Sequence, residues 1–177
     1  MLTLPELIEQ FQQRSKEYDL LALDEDLSDP PNPPATEQDI RRFEKEIGYV
    51  LPEDYRAFLL LHDGWPGFEG DAPLLGIGNR NNPETVKILR GRSGLFDQFS
   101  DENPIKSGAL PILIAPGVDD MLFYFPKGPD AGKFVSYDNV DREDVFDTFA
   151  DFLRDRIDTL DYLIRQEKEG VDPGEED

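Results

Sequence analysis

Outside one proline-rich stretch, the apolar residues before Gly64 recur at spacings of three and four. After Gly64 they fall into short runs separated by clusters of Gly, Pro and Asn, and the helical spacing returns only toward the C-terminus. Spacings of three and four mark one face of an α-helix, and short runs bounded by turn residues mark strands. Helices, then strands, then a helix make an α+β protein, because a doubly wound sheet would alternate the two. The expected architecture is a mainly antiparallel sheet of about five to six strands flanked by helices, in a single domain.

The first helix is expected over residues 4–17. Thr3 and Glu6 form a capping box around Pro5, and Leu4, Leu7, Ile8 and Phe11 share a face. Residues Asp24–Ala35 follow, a stiff acidic connector rich in proline. A second helix is expected over 37–47, capped by Thr36 and stopped by Gly48, and a third over 52–62 from Leu51-Pro52 to Gly64. Strands are expected at Leu74–Gly78, Thr85–Leu89, Pro111–Ala115, Met121–Phe125 and Lys133–Tyr137, the last three as a meander. One turn of helix fits Leu95–Phe99. A long helix is expected over 144–165, with aspartates at its positive end. The domain organisation read from this is 1–34 as helix and connector, 35–165 as the domain, and 166–177 as a disordered acidic tail.

Charge narrows the partners. The chain of 177 residues carries 18 Lys and Arg against 39 Asp and Glu, a net charge of -21. The last forty residues hold 15 of the acids and 5 of the bases, whereas residues 84–108 are neutral. Such a chain repels nucleic acid and anionic membranes and attracts basic proteins. Solubility alone is the plainer use of the same charge. No apolar run approaches the roughly 20 residues of a membrane helix, and the opening MLTLPELIEQ, without a basic n-region or a continuous apolar stretch, is not expected to act as a secretory signal. The absence of cysteine removes disulfides and thiolate metal sites and fits a reducing cytoplasm.

The stretch Ala35–Trp65 resembles the opening of a SUKH domain, the superfamily that includes the yeast cell-wall assembly regulators. The pattern is Thr36 capping a helix with Glu44 inside it, Gly48 as stop, Leu51-Pro52 and Tyr55 starting the next helix, and Asp63-Gly64 ending that. Leu110-Pro111-Ile112, the entry at Gly117–Phe125, the strand Phe134–Tyr137 and the helix Phe146–Leu153 follow in order, so the resemblance spans roughly residues 35–155. It implies a sheet flanked by helices and a role in binding other proteins. Many bacterial members resemble immunity proteins that neutralise toxins, and eukaryotic ones resemble interaction hubs. It implies no binding site that transfers residue by residue.

Reaction chemistry has few footholds. His62 is the only histidine, so a His/Cys metal cluster cannot form. Carboxylate-only sites are open at Asp119-Asp120 and in Asp138–Asp144, but neither has EF-hand spacing, and solvated turns or a helix cap account for both. His62 suits the end of a helix. No Gly-x-Ser-x-Gly elbow exists, and Gly91-Arg92-Ser93-Gly94 lacks the Walker ending. No catalytic residue, metal ligand or cofactor is therefore assigned. Glu44 is expected in an ion pair with Arg41, Lys45 or Arg56. Trp65 has two readings: an anchor for a partner, or a plug that folds with Phe68 into the core.

The expected function is that of an acidic, cytoplasmic, non-catalytic immunity protein that covers the cleft of a basic protein such as a polymorphic toxin, nucleases included. Trp65, Glu69, Asp71, Asp119, Asp120 and Tyr124 are the expected contacts. A scaffold or regulatory module of the same fold is the alternative, and a carboxylate-dependent metal hydrolase a weaker one. Nothing in the sequence sets the oligomeric state.

Overall fold

The computed structural model describes residues 1–116 and 120–170. Along the chain run α1 (Leu4–Leu23), α2 (Glu37–Ile47), α3 (Glu53–Leu61), β1 (Trp65–Glu69), β2 (Ala72–Leu74) and α4 (Pro83–Phe99). Then come β3 (Leu110–Ile114), β4 (Asp120–Tyr124), β5 (Phe134–Asp138), β6 (Asp141–Phe146) and α5 (Phe149–Glu169). The strands form one open sheet in the order β1-β2-β3-β4-β5-β6, and every neighbouring pair is antiparallel. The α+β class that the change of period requires is the one found. The described residues divide into two compact units, one within residues 29–149 and one formed by residues 1–28 with 150–170.

In the unit 29–149, α2 starts where the Asp39 amide donates to Thr36 Oγ1 at 3.1 Å. It stops at Gly48, which takes φ 86°, a left-handed angle that strains any side chain. Side chains alternate across the sheet that follows. Met121, Phe123, Val135 and Tyr137 point to one face and bury against Phe96 of α4 and Ala109. On the other face the Phe134 ring lies 6.1 Å from that of Phe149, which packs 5.5 Å from Tyr55 and 5.2 Å from Phe58 of α3. Aromatic bulk from α3 and α4 thus fills both faces of the sheet.

Four expectations need correction here. Thr85–Leu89 is not a strand but the start of α4: Asn82 Oδ1 accepts from the Glu84 amide at 2.9 Å and Pro83 fills the first turn. Thr85, Arg92 and Phe96 form its buried face. Gly91 and Gly94, each unfavourable by about 1 kcal/mol against Ala in a helix, hide that spacing in the sequence. Residues Trp65–Glu69 are a strand where none was expected before Leu74, since an edge strand tolerates Pro66. Ala72–Leu74 pairs in the sheet in place of Leu74–Gly78. Finally, Asp141–Phe146 is a strand, and the last helix begins at Phe149, because Asn139 adopts φ 56° and turns the chain back onto β5.

In the other unit, α1 runs past the expected Glu17 to Leu23, since no breaker stands before Asp24, which closes it at φ 56°. Its capping box forms as expected, with the Thr3 amide donating to Glu6 at 2.7 Å. Leu7, Ile8 and Phe11 are buried. Arg14–Asp161 at 2.6 Å and Lys168–Glu17 at 2.6 Å tie α1 to α5. The helix α5 continues through residues 166–169, and the tail expected to 177 lies outside the described residues beyond 170.

Candidate functional site

The residues of the Thr36–Gly64 pattern build scaffold. Glu44 accepts from the Leu51 amide at 3.0 Å and from Arg56 Nε at 3.1 Å, fixing the turn between α2 and α3. Of the three expected cations, Arg56 is the one it pairs with, and hydrogen bonds from the same Arg56 guanidinium lower the Glu37 carboxyl. Tyr55 is fully buried, which pushes its phenol up. Its hydroxyl donates to the Leu75 carbonyl at 2.6 Å and accepts from Arg80 Nη2 at 2.8 Å. Arg80 also donates from Nε to the Gly76 carbonyl at 3.1 Å and from Nη1 to that of Pro111, and stacks 5.3 Å from the Phe43 ring.

Beside this network, Asp63 accepts from the amides of Ile77 and Gly78. A side chain at Gly76 would meet Asp63 atoms at 2.3 Å, so only glycine allows this close approach. His62 sits at the end of α3, as expected, but its Nδ1 lies 3.0 Å from the Asn32 carbonyl, not on the last carbonyls of the helix.

Trp65 is enclosed. It is 2% exposed, meets Phe68 edge-on at 5.4 Å, and donates Nε1 to the Asp29 carbonyl at 2.8 Å. The core reading describes this geometry, and an anchor would need surface the ring does not offer. Sheet direction sorts the other expected contacts. β1, β3 and β5 run the same way, so their last residues and the first residues of β2, β4 and β6 share one end of the sheet. Glu69 ends β1, Asp71 directly precedes β2, and Asp120 begins β4, all at this end. Asp119 lies outside the described residues.

Sequence reading missed the rest of this end. Asp120 pairs with Asp138, and Asp138 with Asp141, so three carboxylates lie in register across neighbouring strands. Like charges directly opposite destabilise a sheet. Tyr124 stands at the far end of β4, half-buried, its ring 6.1 Å from Tyr49. Burial pushes Tyr49 up to about 12 and raises Tyr124, so both phenols stay neutral.

A cavity of about 430 Å³ lies among Pro104, Ala109, Phe125, Pro126 and Arg142. Arg142 forks onto Asp130 at 2.6 and 2.8 Å, and Glu102 accepts from the Tyr137 hydroxyl at 3.2 Å. Burial first, and then the Glu102 carboxylate, pushes the Tyr137 phenol up. The Arg142 hydrogen bonds hold Asp130 below its ordinary value of 3.8. A depressed carboxyl adds stability above its unfolded pKa and loses it as pH falls through the folded one. The Asp130 midpoint, followed by carboxyl NMR, is therefore expected below 3.8 and should rise toward it in Arg142→Gln. An unchanged midpoint in the variant would contradict the pairing.

Among the described residues no three His, Asp or Glu side chains could hold a metal ion, and no helix is long and apolar enough to cross a membrane. What the geometry defines is an α+β domain with a buried polar scaffold and an acidic sheet end. Residues 34–155 match the SMI1 / KNR4 family (SUKH-1), and the chain belongs to that family. No curated protein matches it.

Proposed function

We propose that this chain is a non-catalytic, cytoplasmic protein-binding domain of the immunity type, which neutralises a basic toxin by covering its cleft. The carrying observation is the register of Asp120, Asp138 and Asp141 at the sheet end that also holds Glu69 and Asp71. Carboxylates set against one another gain when a partner's Lys and Arg come between them. A nuclease cleft that holds phosphate offers those cations. The reading needs no reaction, metal or cofactor.

Co-expression tests it. A toxic protein encoded immediately upstream should stop growth alone and be tolerated with this chain. The triple variant Asp71→Lys, Asp138→Lys and Asp141→Lys should fold normally and lose the rescue. Its association with the toxin should slow by at least about tenfold at low salt, and salt should slow the wild type, since exposed charges are screened beyond roughly 8 Å. Full rescue by the triple variant would remove the acidic end from the account. A stable complex with a non-toxic regulatory protein would favour the scaffold reading.

A further inference from the structure

The sheet has two edges, and they are treated differently. Along β1, Asn32 donates its amide to the Gly64 carbonyl at 3.0 Å, and Trp65 Nε1 reaches Asp29. A side chain at Gly67 would come within 2.8 Å of Asp29, and Pro66 removes an amide. That edge is covered. Among the described residues β6 pairs on one side only, with β5, and Asp141–Val145 are all exposed. An open edge carries a row of backbone donors and acceptors able to bind another strand.

Two further features say which strand. Arg142 is the one cation of β6 and is already engaged by Asp130, so Asp141, Glu143 and Asp144 leave the edge acidic. Arg142 pairs with Tyr137 and Val145 with Val135, which puts both on the α4 face of the sheet, and Val145 is 48% exposed. The cavity that Arg142 lines, with Phe125 and three prolines, is on that same face. Alternate residues of an added strand project to that face.

We infer that β6 is a docking edge for an extended basic segment of a protein partner, which adds as a seventh strand and places one apolar side chain in the cavity beside Arg142. Main-chain hydrogen bonds supply affinity in such additions, and pockets for alternate side chains supply selectivity. A second copy of this chain does not fit, because antiparallel pairing of two β6 edges would set acids against acids. The inference rests on the reading of the chain as a protein-binding domain and names where an extended part of the partner lies.

The probe is an amidated peptide alternating lysine and valine around a central phenylalanine, titrated at low ionic strength into the ¹⁵N-labelled full chain. Amides of residues 141–146 should shift and exchange more slowly, together with Phe125 and Ala109. Prolines in place of the valines keep the charge but remove backbone donors, and should weaken binding at least about tenfold. The double variant Glu143→Lys and Asp144→Lys should weaken it similarly with unchanged circular dichroism. Equal binding of the proline peptide would overturn strand addition, as would shifts confined to other surfaces. The growth rescue judges the protein-binding reading separately: rescue intact with β6 unresponsive to the peptide sinks the edge alone.

Discussion

Arg80→Met is expected to lower the unfolding free energy by about 2–4 kcal/mol, the order expected for leaving several buried acceptors without their donor. The guanidinium serves the Gly76 and Pro111 carbonyls and the Tyr55 hydroxyl, and it is 9% exposed. Methionine fills most of the volume and leaves all three acceptors without that donor, and an unsatisfied buried polar group is unfavourable by about 1–3 kcal/mol. Urea denaturation should show a lower midpoint with an unchanged slope. Arg80→Lys keeps the charge but cannot fork onto three acceptors, so it should recover only on the order of half the loss. A loss below about 1 kcal/mol for the methionine variant would mean that water replaces the guanidinium, and the network would not be the organising feature of this corner.

Trp65→Ala should destabilise by a similar amount, about 3–5 kcal/mol, as large aromatic truncations in cores do. The ring is enclosed against Phe68, and its loss also leaves the Asp29 carbonyl without its donor. The effect should appear in the melting temperature. Association and dissociation rates with a partner, measured well below that temperature, should stay within about twofold. Stability within roughly 0.5 kcal/mol of wild type, with a faster dissociation, would instead return Trp65 to the role of an anchor.

These two residues also mark how far the sequence could be read. Features set by neighbours within one helical turn were legible: the caps at Thr3 and Thr36 and the stop at Gly48 all form where the local pattern puts them. Glu44 was legible as an ion-pair partner because Arg56 lies just across the Gly48 turn. Arg80 was not, because its acceptors on Tyr55 and Pro111 are 25 and 31 positions away, and a turn of Asn and Gly around it reads as solvent.

Edges were the other blind spot. β1 breaks the alternation of a half-buried strand and carries Pro and Gly, and β6 is exposed along nearly its whole length, so the first resembles a Pro-Gly loop and the second an acidic helix start. The acidic sheet end was half visible. Glu69, Asp71 and Asp120 could be placed in turns, but the register that adds Asp138 and Asp141 depends on β6 being a strand. Tyr124 is four residues from Asp120 along one strand and so belongs to the opposite end.

The central claim is that this chain acts by occupying a partner and not by turnover. The direct measurement, made on the proposed basic toxin, is a titration of its activity with the purified full chain, at concentrations well above the dissociation constant. Binding predicts that activity falls in a straight line and reaches zero at about one equivalent, with a single complex in solution. Complete loss of toxin activity at a small fraction of an equivalent would show that one molecule of this chain processes many of the toxin, and would contradict the account.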